Sequence, residues 1–449
     1  MKSFTVKEAA EAAGGVFMGD GALLDCPVTG VAIDNRRIKP GDLFVAIAGE
    51  KNDGHDYIAS ALEAGAVCAL SHKHVEGPHI LVPDTLTAFQ ALASWYRCRF
   101  DIKVIGVTGS VGKTTTKEML YSVLSERFSV QKTEGNFNNQ TGVPITLFTI
   151  DDGFDAAVVE MGTNHFGEID RLAAAAKPDY CVFTNIGDAH IEFLGSREGI
   201  LRAKIAMLAH MRPGGSVFVN GDDPLLKKLR DTRGDCVSFG LSGSCDVRAE
   251  DVVPDGLMGS GFTLVTGQER IAMKVPAPGA HMVTNALCAA AVGLRMGMTP
   301  EEIKAGVAAY KPLAGRMKIE RKNGIVVIND VYNANPSSVK ASIGVLHYAK
   351  GRTVAVLGDM LELGADSAKR HFDVGTFAAE QGVDVVLCVG PLSKNTCEGA
   401  AKGGAAARHF ETQEELLGAI DGIIEPGDTV LVKASRGMKL EITVEHLLK

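Results

Sequence analysis

Residues 104–116 read Val104-Ile105-Gly106-Val107-Thr108-Gly109-Ser110-Val111-Gly112-Lys113-Thr114-Thr115-Thr116. A short apolar run enters a glycine-rich turn. A lysine and three threonines then open a helical pattern. A strand feeding such a turn and a helix N-terminus makes a phosphate cradle. Its backbone N–H groups point inward, the helix dipole favours negative charge, and the lysine adds a fixed cation. Gly109, Ser110, Val111, Gly112, Lys113, Thr114 and Thr115 are therefore the candidate nucleotide contacts, with ATP as the expected ligand. Thr114, the first hydroxyl after the lysine, is placed to hold Mg²⁺. The strict phosphate-loop pattern asks for glycine where Val107 stands, so this is a compact variant, T-G-S-x-G-K-T. The alternative is a chance glycine turn before a helix. The agreement of strand, turn, Lys-Thr pair and helix argues against it.

The bulk numbers set the frame. A chain of 449 residues is expected to hold two to four domains. It is 46% apolar and 22% charged, an ordinary globular balance with ample core material. The net charge of −8 argues against a general nucleic-acid or anionic-membrane binder. Local cationic loops still leave room for anionic substrates. Nine cysteines are scattered from Cys26 to Cys397 with no C-x-x-C and no zinc-like His/Cys spacing. Buried, reduced thiols in a cytoplasmic protein are the expectation. Thr5-Val-Lys-Glu8 is a capping-box pattern that opens a helix, not a signal peptide. No apolar run reaches the ~18 residues of a membrane span. The sequence leaves the oligomeric state open.

Around the cradle the chain reads as an α/β protein of three domains. Residues 1–83 predict a small α/β unit. It has a helix over 5–13, β-like runs at 28–33, 43–47 and 67–70, and a helix over 56–65. Residues 84–312 predict the nucleotide domain. A helix over 85–99 leads to the strand 103–108 and the cradle. Met119, Leu120, Val123 and Leu124 then share one helix face, as a helix covering a sheet requires. Apolar runs at 156–161, 180–185 and 216–219 alternate with helical segments, which predicts a parallel, doubly wound sheet. Residues 245–275 break that rhythm. FTLVTGQERIAMKV alternates with period two about Gly267 and reads as an antiparallel hairpin. The run from Asn285 to Leu294 reads as a buried helix. Residues 313–449 restart the βα alternation as a Rossmann-like domain. Its strands are expected at 325–330, 353–358, 384–389 and 429–433, and its helices at 337–349, 367–381 and 412–423. Tyr310-Lys-Pro-Leu-Ala-Gly315 is the expected hinge.

Several polar residues stand where such a fold gathers its ligands. Glu160 ends the apolar run Ala156-Ala-Val-Val-Glu160. Ligands of an open parallel sheet sit at the carboxyl ends of its strands, and an acid there suits a Mg²⁺ ligand better than a surface cap. His190 closes Thr184-Asn-Ile-Gly-Asp-Ala-His190, again just past a strand. A structural and a functional histidine both fit that position. Lys204, on the helix that follows, is by itself an ordinary solvated charge. The stretch Glu134-Gly-Asn-Phe-Asn-Asn-Gln-Thr-Gly-Val-Pro144 is rich in amides, with Asn136, Asn138 and Asn139 at its centre. Amides suit neutral polar groups such as sugars and peptides, and a plain turn fits equally well. Asn35 and Arg36 lie in a loop of the first domain. Arg316 follows the hinge and is placed to reach a phosphate. Asp330 ends a strand of the third domain and is expected to face the same gap. Ser435 and Arg436 end the last strand, where the arginine suits a carboxylate. Solvated loop charge is the competing reading for these loop residues.

Taken together, these pieces resemble the Mur ligases, ATP-dependent amide-forming enzymes of peptidoglycan synthesis. The carriers are Ile33-Asp-Asn-Arg36, Pro40-Gly-Asp-Leu-Phe-Val-Ala46, Asp53-Gly-His-Asp56, TGSVGKTTTKE and GNFNNQTGVPITL. VVEMGTNHFGEI, TNIGDAHIEFLGS, Gly315-Arg316, NDVYNANPSS and LGDMLELG complete the set. The resemblance spans all three domains. Through TTTKE, NDVYNANPSS and LGDMLELG it implies the member that joins D-alanyl-D-alanine to UDP-N-acetylmuramoyl-tripeptide. It implies ATP and Mg²⁺ as cofactors and an acyl-phosphate intermediate. Thr114 and Glu160 would hold one Mg²⁺. His190 would help place a second, with Lys204 as a carbamate. Asn285 would contact the nucleotide, Arg316 its phosphates and Asp330 its ribose. The first domain, with Asn35 and Arg36, would hold the uridine diphosphate, and the third, with Ser435 and Arg436, the dipeptide.

Three positions depart from the family pattern. Asn35 stands where Ser or Thr is usual, Met282 replaces an amide in Gly279-Ala-His-Met-Val-Thr-Asn285, and Ile205-Ala206 follow Lys204 where an acid is common. A sister ligase adding another amino acid and a non-catalytic protein on the same fold are the alternatives. Lys113, Thr114, Glu160 and His190 are all present, which speaks against the second.

Overall fold

The computed structural model describes residues 1–49 and 52–449. The chain divides into two compact units. One comprises Met1–Thr108, Phe128–Val182 and Ala203–Val217; the other comprises Gly109–Arg127, Phe183–Arg202 and Phe218–Lys449.

The first unit begins with a helix over Val6–Ala13. Thr5 and Glu8 close the expected capping box, and Gly14 ends the helix in the left-handed region at φ +64°. The short strand β1 (Phe4–Thr5) pairs antiparallel with β3 (Pro27–Val28). Five further strands are β2 (Val16–Met18), β4 (Gly30–Ala32), β5 (Asp42–Val45), β6 (Cys68–Ser71) and β7 (His79–Leu81). They form one sheet in the order β2-β7-β6-β5-β4. The four pairings are parallel except that of β2 with β7. All residues of β5 and β6 are buried. A parallel strand covered on both faces reads as a continuous apolar run, which is why these two were visible in the sequence.

The largest sheet has nine strands. They are β8 (Lys103–Thr108), β9 (Val130–Lys132), β10 (Ala156–Glu160), β11 (Tyr180–Phe183), β12 (Ser216–Asn220), β13 (Cys236–Gly240), β14 (Val247–Pro254), β15 (Ser260–Thr266) and β16 (Glu269–Val275). Their order is β16-β15-β14-β13-β12-β11-β8-β10-β9. Both β11 and β12 contribute residues to each unit. In the first unit β8 and β10 run parallel with Val104 opposite Ala157. In the second unit β15 and β16 form the expected hairpin about Gly267, at φ +56°. β14 extends it antiparallel through a register shift between Glu250 and Val253. The buried helix starts earlier than its apolar run, at Ala280, and continues to Arg295.

A six-stranded sheet completes the second unit. It contains β17 (Lys318–Lys322), β18 (Ile325–Asn329), β19 (Thr353–Gly358), β20 (Val385–Val389), β21 (Ala406–Phe410) and β22 (Thr429–Lys433). The order is β17-β18-β22-β19-β20-β21, so β22 is inserted between β18 and β19. Alternate residues feed two cores. Ile328, Ala355, Leu357, Val386 and Leu431 pack with Ile343, Val374 and Ala378. Val327, Val354, Val356, Leu387, Val430 and Val432 pack with Leu416, Ile420 and Val444 on the other face. The four expected strands are present. The two unforeseen ones, β17 and β21, are the edges. Edge strands carry charge and expose one rim, so they lack the apolar signature.

The cysteine expectation needs correction. All nine are free thiols, yet only five are buried. Cys26, Cys236 and Cys397 are half-buried. Cys98 is exposed because it caps the C-terminal end of the helix Thr85–Arg97. Among the described residues no helix is long and apolar enough to cross a membrane.

Candidate active site

In the second unit the cradle is braced by the segment that follows β11. The Thr184 hydroxyl donates to the Val111 carbonyl at 2.6 Å, and the Asn185 amide donates to it at 2.9 Å. Asn185 Oδ1 accepts the Val111 N–H at 2.9 Å, and its backbone carbonyl accepts the Ser110 N–H at 3.0 Å. Ser110 Oγ in turn accepts the Gly187 N–H at 2.9 Å. A Cβ on Gly109 would lie 1.9 Å from Thr184 Oγ1, so only glycine lets the loop approach this brace. Gly112 then adopts φ +82° and hands over to the helix Lys113–Leu124. Lys113 Nζ donates to the Gly109 carbonyl at 2.8 Å. Sequence reasoning missed Thr184 and Asn185. The Thr-Asn pair just past a buried strand was their one signal.

The underside of the cradle meets Asn285. The Thr116 hydroxyl hydrogen-bonds Asn285 Oδ1 at 3.0 Å inside the protein. The Asn285 amide lies 3.9 Å from the Met282 sulfur, a weak acceptor. Met282 is buried, so the departure at this position exchanges an amide partner for a soft apolar one.

A pocket of about 220 Å³ adjoins the cradle, its wall including Ser110, Lys113, His190, Glu362, Ser435 and Arg436. His190 sits in the left-handed region at φ +60°, and its Nδ1 is 2.6 Å from Glu362 Oε2. Buried Ser435 accepts the Leu361 N–H through Oγ at 2.9 Å. Arg436 is exposed, 3.3 Å from Glu441. Arg316 stacks 3.8 Å from the centre of the Tyr332 ring, and Arg436 approaches the same ring at 5.8 Å. Two arginines singled out in the sequence thus share one aromatic residue.

Asp330 differs from its expectation of facing a gap. Its carboxylate accepts from Lys433 Nζ at 2.5 Å, from the Ser342 hydroxyl at 2.7 Å and from the Met317 N–H at 3.2 Å. Lys433 is buried and also donates to the Asn333 carbonyl at 2.9 Å. A buried ammonium needs such partners, and this one draws the carboxylate inward. Lys433 escaped the sequence reading because it ends an otherwise apolar strand.

In the first unit Glu160 is 1% exposed and ends β10. Its Oε1 accepts from the Asn138 amide at 2.7 Å. The amide-rich stretch divides by role. Asn138 orients this carboxylate, Asn139 Oδ1 accepts the Gly142 N–H at 2.8 Å as a turn brace, and Asn136 is exposed. Lys204 is 1% exposed, against the expectation of a solvated charge. Asn35 donates to Ser60 Oγ at 3.0 Å. Arg36 grips Asp34 with two bonds of 2.8 Å while 83% exposed. That guanidinium holds the Asp34 carboxyl down at about 2. Among the described residues no group of three or more His, Cys, Asp or Glu side chains forms a metal cluster.

Comparison with known proteins supplies the family. The chain matches, in order, "Mur ligase family, catalytic domain" over residues 27–93, "Mur ligase middle domain" over 107–293 and "Mur ligase, glutamate ligase domain" over 315–436. It is 39% identical to the UDP-N-acetylmuramoyl-tripeptide–D-alanyl-D-alanine ligase of Bacillus subtilis, covering 94% of this chain and 93% of that protein. Its identity to the Escherichia coli protein of the same name is 35%, covering 100% and 99%. The structure of MurF from Acinetobacter baumannii superposes with a TM-score of 0.94 at 33% identity, covering 100% and 99%. MurF ligase from Thermotoga maritima in complex with ADP gives 0.85 at 29% identity, covering 93% and 97%. Matched by three successive family domains and by near full-length relatives, the chain belongs to the Mur ligase family.

Proposed function

We propose that this chain joins D-alanyl-D-alanine to UDP-N-acetylmuramoyl-tripeptide in the cytoplasmic stage of peptidoglycan synthesis, consuming ATP and releasing ADP and phosphate. The observation that carries the reading is the pocket whose wall includes both cradle residues, Ser110 and Lys113, and the strand-end pair Ser435 and Arg436. Phosphates and an acceptor carboxylate thereby have anchors in one cavity. The near full-length relatives bearing this activity in their names support it.

A carboxylate is a poor electrophile. The terminal carboxylate of the tripeptide attacks the γ-phosphorus of ATP, and ADP leaves. The amine of the dipeptide attacks the resulting acyl phosphate, and inorganic phosphate departs from the tetrahedral intermediate. Two anions must meet, so the burden is electrostatic. Gly109 to Thr115 bind the phosphate chain, and Lys113 offsets the β/γ charge. Arg316 reaches the phosphates from beyond the hinge. Arg436 grips the dipeptide carboxylate, with Ser435 fixing the turn that carries it. Asn285 braces the helix beneath the cradle, and Asp330 fixes the backbone beside Arg316 through the Met317 N–H. Asn35 and Arg36 serve the uridine diphosphate, and Asn136 and Asn139 the muramoyl peptide.

Each donor, taken in its own unit, has the chemistry that suits Mg²⁺. The Thr114 hydroxyl and Glu160 carboxylate are hard oxygen ligands, both buried, at a helix start and a strand end. When bound, Mg²⁺ neutralises phosphate charge for the incoming carboxylate. His190 and a carbamylated Lys204 would serve a second ion. Lys204 is buried, and carbamylation would make it an anionic ligand. The domain reading is 1–83 for the UDP-sugar, 84–312 for ATP and 313–449 for the dipeptide.

The test is ADP release with UDP-N-acetylmuramoyl-tripeptide. Turnover is expected only when D-alanyl-D-alanine is added, and not with single amino acids. Equal rates with and without dipeptide overturn the reading.

A further inference from the structure

The LGDMLELG segment is singled out by the sequence, yet the mechanism above gives it no work. We infer that Glu362 in this segment is the positioning residue of His190, fixing the imidazole tautomer that presents Nε2 to the cation accompanying the phosphates. The inference rests on the ligase reading of the pocket.

Glu362 Oε2 lies 2.6 Å from His190 Nδ1. A carboxylate only accepts, so Nδ1 carries the hydrogen and the neutral ring holds its lone pair on Nε2. A carboxylate on the far nitrogen is the common second partner of a metal-binding histidine, and it sets ring orientation. Backbone geometry points the same way. His190 and Glu362 both occupy the left-handed region, at φ +60° and +61°. Glycine tolerates that region without strain, as Gly364 does two residues further at φ +63°. A glutamate held there is strained, and strained residues cluster at functional sites.

The surroundings hold the contact in place. The Leu361 N–H donates to Ser435 Oγ at 2.9 Å, and the Met360 N–H donates to His371 Nε2 at 3.0 Å. Arg370, on the helix Ser367–Glu380 that follows this segment, pairs with Asp188 at 3.0 Å, two residues before His190. The carboxylate is therefore delivered by the turn after β19 to the histidine after β11. A sequence with no Glu362 would keep every metal ligand named above and lose the orientation of one.

The experiment compares the wild type with Glu362→Gln, Glu362→Asp and Glu362→Gly. Glutamine can flip and donate, so it leaves the tautomer unfixed. Aspartate restores a carboxylate. Glycine removes the side chain while suiting φ +61°. In metal-free protein, ¹⁵N spectra of the imidazoles are recorded, with His190→Gln identifying the His190 signals. The wild type is expected to show the Nδ1–H tautomer, Glu362→Gln a mixture, and Glu362→Asp a partial return. In turnover, Glu362→Gln and Glu362→Gly are expected to need roughly 10–100-fold more Mg²⁺. Glu362→Gly should keep or raise the wild-type Tm, separating this loss from misfolding. Unchanged His190 shifts together with wild-type Mg²⁺ dependence in both variants would overturn the inference. A wild type that makes no product defeats the ligase reading instead, and the imidazole spectra still decide this one.

Discussion

Lys204 is the residue whose environment changes most between sequence and structure. One-dimensional reading gives a helical lysine facing water, because a charge on an amphipathic helix usually does. In the fold it is buried, and only tertiary packing reveals that. The buried position carries a prediction. Lys204→Ala is expected to lose at least about 100-fold in turnover and to regain part of it with added formate or acetate, which replace the anionic ligand. A folded variant that no small carboxylate rescues would count against the carbamate. Legibility at this scale followed chemistry placed beside a strong local pattern. The cradle was legible because its glycines, lysine and threonine are consecutive. Glu160 was legible because it ends an apolar run. Thr184, Asn185 and Lys433 were not, since each acts on backbone groups or side chains dozens of residues away.

At the scale of elements, the strands read as continuous apolar runs were those buried on both faces, such as β5, β8, β10 and β22, while the half-exposed β15–β16 hairpin was read from its alternation. The edges β17 and β21 carried too much charge to stand out. Caps were legible where both members lie within one turn, as with Thr5 and Glu8. The cradle is itself a composite element, loop against loop, and its tolerance is testable. Gly109→Ala would drive a methyl into the Thr184 hydroxyl that holds the Val111 carbonyl. Overpacking of this kind costs about 1–3 kcal/mol. The variant should lose several degrees in Tm and bind ADP at least about tenfold more weakly by calorimetry. Wild-type affinity would mean the brace does not shape the cradle.

For the whole molecule, pH stability follows from buried groups. His371 is 0% exposed, accepting the Met360 N–H and donating to the Ser367 carbonyl. Burial holds its pKa below the ordinary 6.5, outweighing the bond to Ser367. As pH falls below 6.5 the unfolded chain takes up the proton first, so stability declines with falling pH. Asp428 adds a second, more acidic step. Burial is the largest influence and raises its pKa, but the Arg352 guanidinium and the Glu425 N–H together outweigh it and leave the carboxyl below 3.8. Its contribution is present above 3.8 and is lost as pH falls through the folded value. Tm should hold near neutrality, fall gently below about 6.5 and fall steeply below about 4. His371→Gln should make the first limb shallower and spare the second, since burial also holds His281 below 6.5. A Tm constant from pH 7 to 5 in the wild type would contradict this.

The placement of β22 has one more consequence, and it concerns synthesis. Ribosomes deliver β17 through β21 before β22, yet β22 is the strand that β18 and β19 both hydrogen-bond. Until it emerges, the sheet exists as two pieces with facing unpaired edges, the arrangement most open to pairing with another nascent chain. Ser435 and Arg436 follow β22 after the single residue Ala434. Closure of that seam and delivery of the two side chains are therefore one event in time, and a translation product stopped short of it would carry an adhesive edge as well as an incomplete pocket.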